Sequence, residues 1–247
     1  MTETATPSDW GSLADRLNRA LHLAAPPVAI AFEESPPDHL PWFDEPMSKP
    51  TGDGRAGRVA AGCVFWIRGA ETSFTSAPAD HGNCSVGSYT HGLASLDEVA
   101  GNGDIATLLN TGWVTPEAVQ QIPSVSERPA AISYGPLADG AVDPDVVLVR
   151  VNGRQMMVLS DAIPGLRIEG KPQCHIVALA KENHEPAASV GCALSRARTG
   201  MRPDEMTCAI PAGKLSEVVE AVERTAGVDS LVAKYAAEDA RRFGATS

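Results

Sequence analysis

Residues 144–159 read PDVVLVRVNGRQMMVL, and the fold class turns on how they are understood. Val146 to Val151 is a branched apolar run interrupted only by Arg150, a composition suited to a largely buried strand. Asn152-Gly153 comes next, and RQMMVL (154–159) follows it. Asn-Gly between two apolar runs is the strongest short hairpin signal, because both residue types tolerate positive φ. The stretch therefore predicts two antiparallel strands and an antiparallel sheet as the framework.

Working outward, further strands are expected at VAIAF (28–32), AAISYGPL (130–137), CHIVALA (174–180) and MTCAIP (206–211). Helices are expected towards the two ends. Trp10, Leu13, Ala14, Leu17 and Leu21 recur at helical spacing behind the capping candidates Ser8 and Asp9, and Pro26-Pro27 stops that segment. Thr115-Pro116-Glu117 opens a shorter helix, with proline at its first position. Leu215, Val218, Val219 and Val222 share one helical face, which Gly227 is expected to end before a last helix over residues 229–241. Strands in the middle and helices at both ends, without strict βαβ alternation, predict an α+β fold. Its mainly antiparallel sheet carries the helices of both chain ends packed on it. No linker divides the chain, so residues 1–247 are expected to form a single α+β domain. Residues 1–7 read as a loose tail and 33–57 as a long Pro/Gly-rich loop, in which Trp42 and Phe43 either anchor the loop or cover a site.

Charge narrows the partners. Twenty Lys and Arg against 31 Asp and Glu leave a formal charge of −11, which repels phosphate backbones and anionic membrane surfaces. No apolar run is long enough to span a bilayer, and MTETATPSDW lacks a basic segment followed by an apolar one. The expectation is a cytoplasmic protein with no nucleic-acid or membrane partner. A small-molecule substrate or a redox partner is expected, and self-association as a homo-oligomer is left open. In a reducing compartment the five cysteines are free thiols, metal ligands or catalytic groups. No GxGxxG or Walker pattern occurs, so no nucleotide fold is predicted.

Two stretches hold all five cysteines. GCVFWIRGAETSFTSAPADHGNCSVGSYTHG (62–92) carries Cys63 and Cys84, and residues 172–208 carry Cys174, Cys192 and Cys208. The spacings match no compact zinc pattern, because C-x₂-C pairs are missing. Turn formers or small polar residues flank three of them, in Gly62-Cys63, Asn83-Cys84-Ser85 and Gly191-Cys192. Cys84 is placed to start a helix, where the macrodipole favours thiolate. Any one buried cysteine is ordinarily a small hydrophobe, and Cys208 inside MTCAIP is read that way.

The chain resembles the domain of unknown function 169 family, from about Leu21 to the last helix. The resemblance rests on PVAIAF, GCVFWIRGAETSF, NCSVGSYTHGL, ISYGPL, PDVVLVRVNGRQMMVL, QC at 173–174, SVGCALSRARTG and DEMTCAIP. It implies cysteines acting together at Cys63, Cys84, Cys174 and Cys192, with Arg196 and Glu205 beside them. Ala193-Leu194-Ser195 departs from the family's more glycine-rich loop.

Four cysteines from separate segments suit a soft metal centre. The expectation is an iron–sulfur cluster, a four-iron one first and zinc as the alternative, in redox or lyase-type chemistry on a small molecule. Arg196, Arg198 and Arg68 would balance its charge, with His81 as a nearby donor or replacement ligand. One alternative is a nucleophilic enzyme in which His81, oriented by Asp80, activates Cys84. Another is a non-catalytic metal or redox sensor module.

Overall fold

The structure is a computed structural model that describes residues 9–45, 63–170 and 172–244. The tail 1–7, the cap candidate Ser8, Gly62 and residues 46–57 of the 33–57 loop lie outside these residues. Among the described residues, seven strands form one sheet in the order β2-β3-β1-β4-β7-β6-β5. The strands are β1 Val28–Glu33, β2 Phe74–Ser76, β3 Ala131–Pro136, β4 Val146–Val151, β5 Arg167–Glu169, β6 Ala187–Ser189 and β7 Met206–Pro211. Every pairing is antiparallel except that of β5 with β6. The fold is α+β, as expected.

Both faces of the sheet are covered, because its central strands are apolar on both sides. Ala29 and Ala31 of β1, with Val147 and Val149 of β4, point to one core; Val28, Ile30, Val146 and Leu148 point to the other. On the first face lie α1 (Trp10–Leu21), α7 (Gly153–Ala162) and α10 (Leu215–Phe243). The expected apolar face of α1 is the one it buries. On the second face lie α2 (Val64–Arg68), α3 (Ser85–Thr90), α5 (Gly103–Asn110) and α8 (His175–Asn183). The short helices α4 (Leu96–Ala100), α6 (Pro116–Gln120) and α9 (Ala193–Arg198) complete the described helices.

Three expectations fail on this framework. Asn152-Gly153 makes no hairpin; it starts α7, and RQMMVL is helical. The Asn152 side chain accepts from the Gln155 amide at 3.0 Å, and the Gln155 side chain accepts from the Asn152 amide at 2.7 Å. That is a capping box. CHIVALA is α8, not a strand, and links the parallel strands β5 and β6 as a crossover. Gly227 does not interrupt α10, which runs 29 residues.

Phe43 anchors its loop, packing 5.2 Å from Phe65 and 5.0 Å from Phe74 between ring centres. Trp42 bridges to Thr75 through the backbone and leaves its ring exposed. No helix among the described residues is long and apolar enough to cross a membrane.

Candidate functional site

Each of the four implied cysteines stands at the N-cap of a helix on the second face: Cys63 before α2, Cys84 before α3, Cys174 before α8 and Cys192 before α9. Cys208 sits in β7 facing the opposite core, as a small hydrophobe. The two cysteine-bearing stretches touch directly. Gln173 Nε2 donates to Cys63 Sγ at 3.1 Å and to Ser195 Oγ at 2.9 Å. Ser195 Oγ in turn lies 3.6 Å from Cys63 Sγ, within reach for a weak sulfur acceptor.

The thiols also feel one another's charge. Burial pushes the Cys63 thiol far up, and Cys192 and Cys84 add to the rise, while Gln173 and Ser195 pull it back. Cys174 is raised by burial and then by Cys63, Cys84 and Cys192, with a Thr90 hydrogen bond opposing. Cys84 is pushed up to about 11, by burial first, despite amide hydrogen bonds from Gly87 and Val86. The expected thiolate at the start of α3 is therefore a thiol: desolvation outweighs the helix end. Tyr134 is raised by burial first and then by Cys63 and Cys174.

A shared neighbourhood is not a ligand set. Among the described residues, no three His, Cys, Asp or Glu side chains group so as to hold a metal ion. Thiolate ligation requires deprotonated sulfurs at about 2.3 Å from one ion. The four cysteines thus do not fit the iron–sulfur or zinc centre expected of Cys63, Cys84, Cys174 and Cys192, and the metal-dependent oxidoreductase, lyase and sensor readings go with it.

The nucleophile reading fails for a separate reason. His81 Nε2 lies 3.0 Å from Ser76 Oγ, and that hydroxyl donates to Ile132 O at 2.9 Å. The Ser76 proton is committed, so Nε2 carries its own proton and donates it to Ser76. The imidazole stacks on Phe65 at 4.2 Å, and burial, then the neighbouring His91, hold it well below its ordinary range. Asp80 does not orient it; its carboxylate accepts from the Ala77 amide at 2.7 Å.

Arg196 and Arg68 are engaged elsewhere, and the Arg198 side chain lies outside the described ones. Arg196 Nη2 donates to Val190 O at 2.8 Å and Glu205 O at 2.9 Å, tying the turn before Cys192 to the start of β7. Glu205 itself pairs with Arg150 at 2.8 Å, and Arg68 pairs with Glu45 at 2.7 Å. Asp104, whose charge helps raise Cys84, accepts from the Ser85 amide and hydroxyl at 3.0 and 2.7 Å.

Among the buried side-chain atoms without a protein partner are Tyr134 Oη and Gln173 Oε1, the latter on the amide that donates to Cys63. Both residues are almost fully buried. Gln173, Ser195 and Thr90 were not singled out from sequence; the adjacency of Gln173 to Cys174 was their only signal.

The family model of DUF169, described as "Uncharacterised ArCR", matches residues 16–221. No curated protein and no solved structure matches the chain.

Proposed function

The chain belongs to the DUF169 family, and we propose from its site that it binds a small uncharged organic molecule among Cys63, Cys84, Cys174 and Cys192. The observation that carries this is that Gln173 Oε1 and Tyr134 Oη are among the buried side-chain atoms left without a protein partner. A buried polar group left unpaired costs about 1–3 kcal/mol, and native interiors pair nearly all of them. Gln173 Oε1 accepts a ligand N–H or O–H, and the Tyr134 hydroxyl donates to a ligand carbonyl or similar acceptor.

Neutrality follows from the surroundings. Cys63, Cys84, Cys174 and Tyr134 are raised, and His81 and His91 are lowered, so all are uncharged near pH 7. Among the described residues no cation is aimed at the site, and the Asp104 carboxylate is taken up by Ser85, so a charged ligand would enter at a cost of several kcal/mol. Arg196 acts as a positioning residue, holding the Cys192 turn, and His81 shapes the wall behind Phe65. The free state of all five cysteines accords with a reducing, cytoplasmic setting.

Native mass spectrometry of the purified full chain, compared with the same sample denatured, tests this. A non-covalent organic mass is expected on the wild type and is expected to be lost from Tyr134→Phe and Gln173→Met. A chain free of added mass that also shows no thermal shift with small neutral amides overturns the reading. So does added mass made of metal and inorganic sulfide.

A further inference from the structure

We propose that the outer half of α10 pairs with the same helix of a second copy of this chain, antiparallel, with Leu231 facing Val232 of the partner subunit. The inner half of α10 is accounted for: Leu215, Val218, Val219 and Val222 are buried against α1 and α7. Beyond Ala226 the helix continues to Phe243, and its large apolar residues change sides. Each residue turns a helix by about 100°, so Val228, Leu231, Val232 and Tyr235 fall on one stripe, rotated by about 130° from the core-facing one. All four are more than half exposed. Ala233, Ala236 and Ala237, which continue the line of the core-facing residues, are exposed as well, so the outer half of α10 stands clear of the packed body.

Charge selects the occupant and its direction. The same helical face carries Arg224 at one end of the apolar stripe and Asp239 at the other, both exposed. With Leu231 opposite Val232 of the partner subunit, an antiparallel pair sets Val228 opposite Tyr235 of the partner subunit. It also sets Arg224 opposite Asp239 of the partner subunit. Two-fold symmetry repeats each contact, giving an apolar centre closed by an ion pair at both ends. A parallel pair would stack Arg224 on Arg224 and Asp239 on Asp239, which is repulsive. The overall acidity of the chain disfavours an anionic membrane as the alternative cover.

Light scattering on the full chain during size exclusion tests this. A dimer is expected for the wild type and a monomer for Leu231→Glu, with unchanged helical circular dichroism. Arg224→Asp is expected to weaken the dimer about tenfold, since two ion pairs become repulsions. Adding Asp239→Arg to the same chain is expected to restore it. A monomeric wild type, a dimer untouched by Leu231→Glu, or a charge swap that fails to restore association overturns the proposal.

Discussion

Gln173 Nε2 lies 3.1 Å from Cys63 Sγ across 110 positions of sequence, and one nitrogen holds both that sulfur and Ser195 Oγ. This is the stitch that closes the two cysteine-bearing stretches. Gln173→Leu removes both donations and also removes the unpartnered Oε1, so its net cost is expected at about 1 kcal/mol in urea unfolding. Cys63 is the most exposed residue of the five cysteines. Losing a donor pushes its thiol further up, so alkylation of Cys63 by iodoacetamide should slow in the variant. An unchanged or faster rate would remove Gln173 from the site.

Alkaline pH should loosen the second face. Cys84 ionises at 9.0 ordinarily and at about 11 in the fold. A group raised by folding contributes its stability below its unfolded value and loses it as pH climbs through the folded one. Stability is therefore expected to fall between pH 9 and 11, by about 3 kcal/mol from this group. Cys84→Ser should show a flatter urea midpoint over the same range.

Acid acts through His91, whose burial lowers it from 6.5 to about 4. A group depressed by folding contributes stability above its unfolded value and loses it as pH drops through the folded one. The window is pH 6.5 down to 4, again worth about 3 kcal/mol. His81 is depressed in the same direction. His91→Phe should unfold with a weaker acid dependence than the wild type; an identical acid midpoint would show that His91 is not the group responsible.

Gly191 and Arg196 should behave as a unit. Gly191 has φ of 110°, and a Cβ there would overlap the Arg196 guanidinium. Gly191→Ala is expected to cost about 1–3 kcal/mol from the backbone conformation, with the collision added. In an Arg196→Met background the collision is relieved, so the double variant should lose less than the two singles combined. Strict additivity in thermal unfolding would break the link.

Asn152→Ala removes the cap of α7 and is expected to cost about 1 kcal/mol in urea unfolding. Gln155→Leu should cost more, because Gln155 Nε2 also donates to Leu21 O and His22 O at 2.9 Å and locks α7 to the end of α1. A Gln155→Leu chain as stable as the Asn152→Ala one would deny that lock.

The same Asn152 explains what local sequence conveys and what it withholds. Asparagine before glycine serves a hairpin or a helix start equally well, and Gln155 three positions on was the clue to the second. The strands β1, β3, β4 and β7 and the face of α1 were legible because each runs long with a clear period or a continuous apolar core. Helix α8 was not, since His175 to Ala180 are buried on every side and no period survives. Gly227 in an exposed helix costs only about 1 kcal/mol, too little to end one of this length. At the site, the cysteine positions could be read and their protonation could not. Protonation depends on water lost when the helices close over the second face of the sheet, and no residue spacing encodes that.

Val146, Val147, Leu148 and Val149 have no water-facing side, alternate members answering to opposite cores. Such a strand has no neutral sites, and exchanging any one of its side chains for a larger or polar one disturbs a packed layer. Drift among relatives should therefore bypass this ribbon and accumulate on the outward arcs of the helices above and below it. A comparison of many family members would find its slowest-changing segment here, well away from any sulfur.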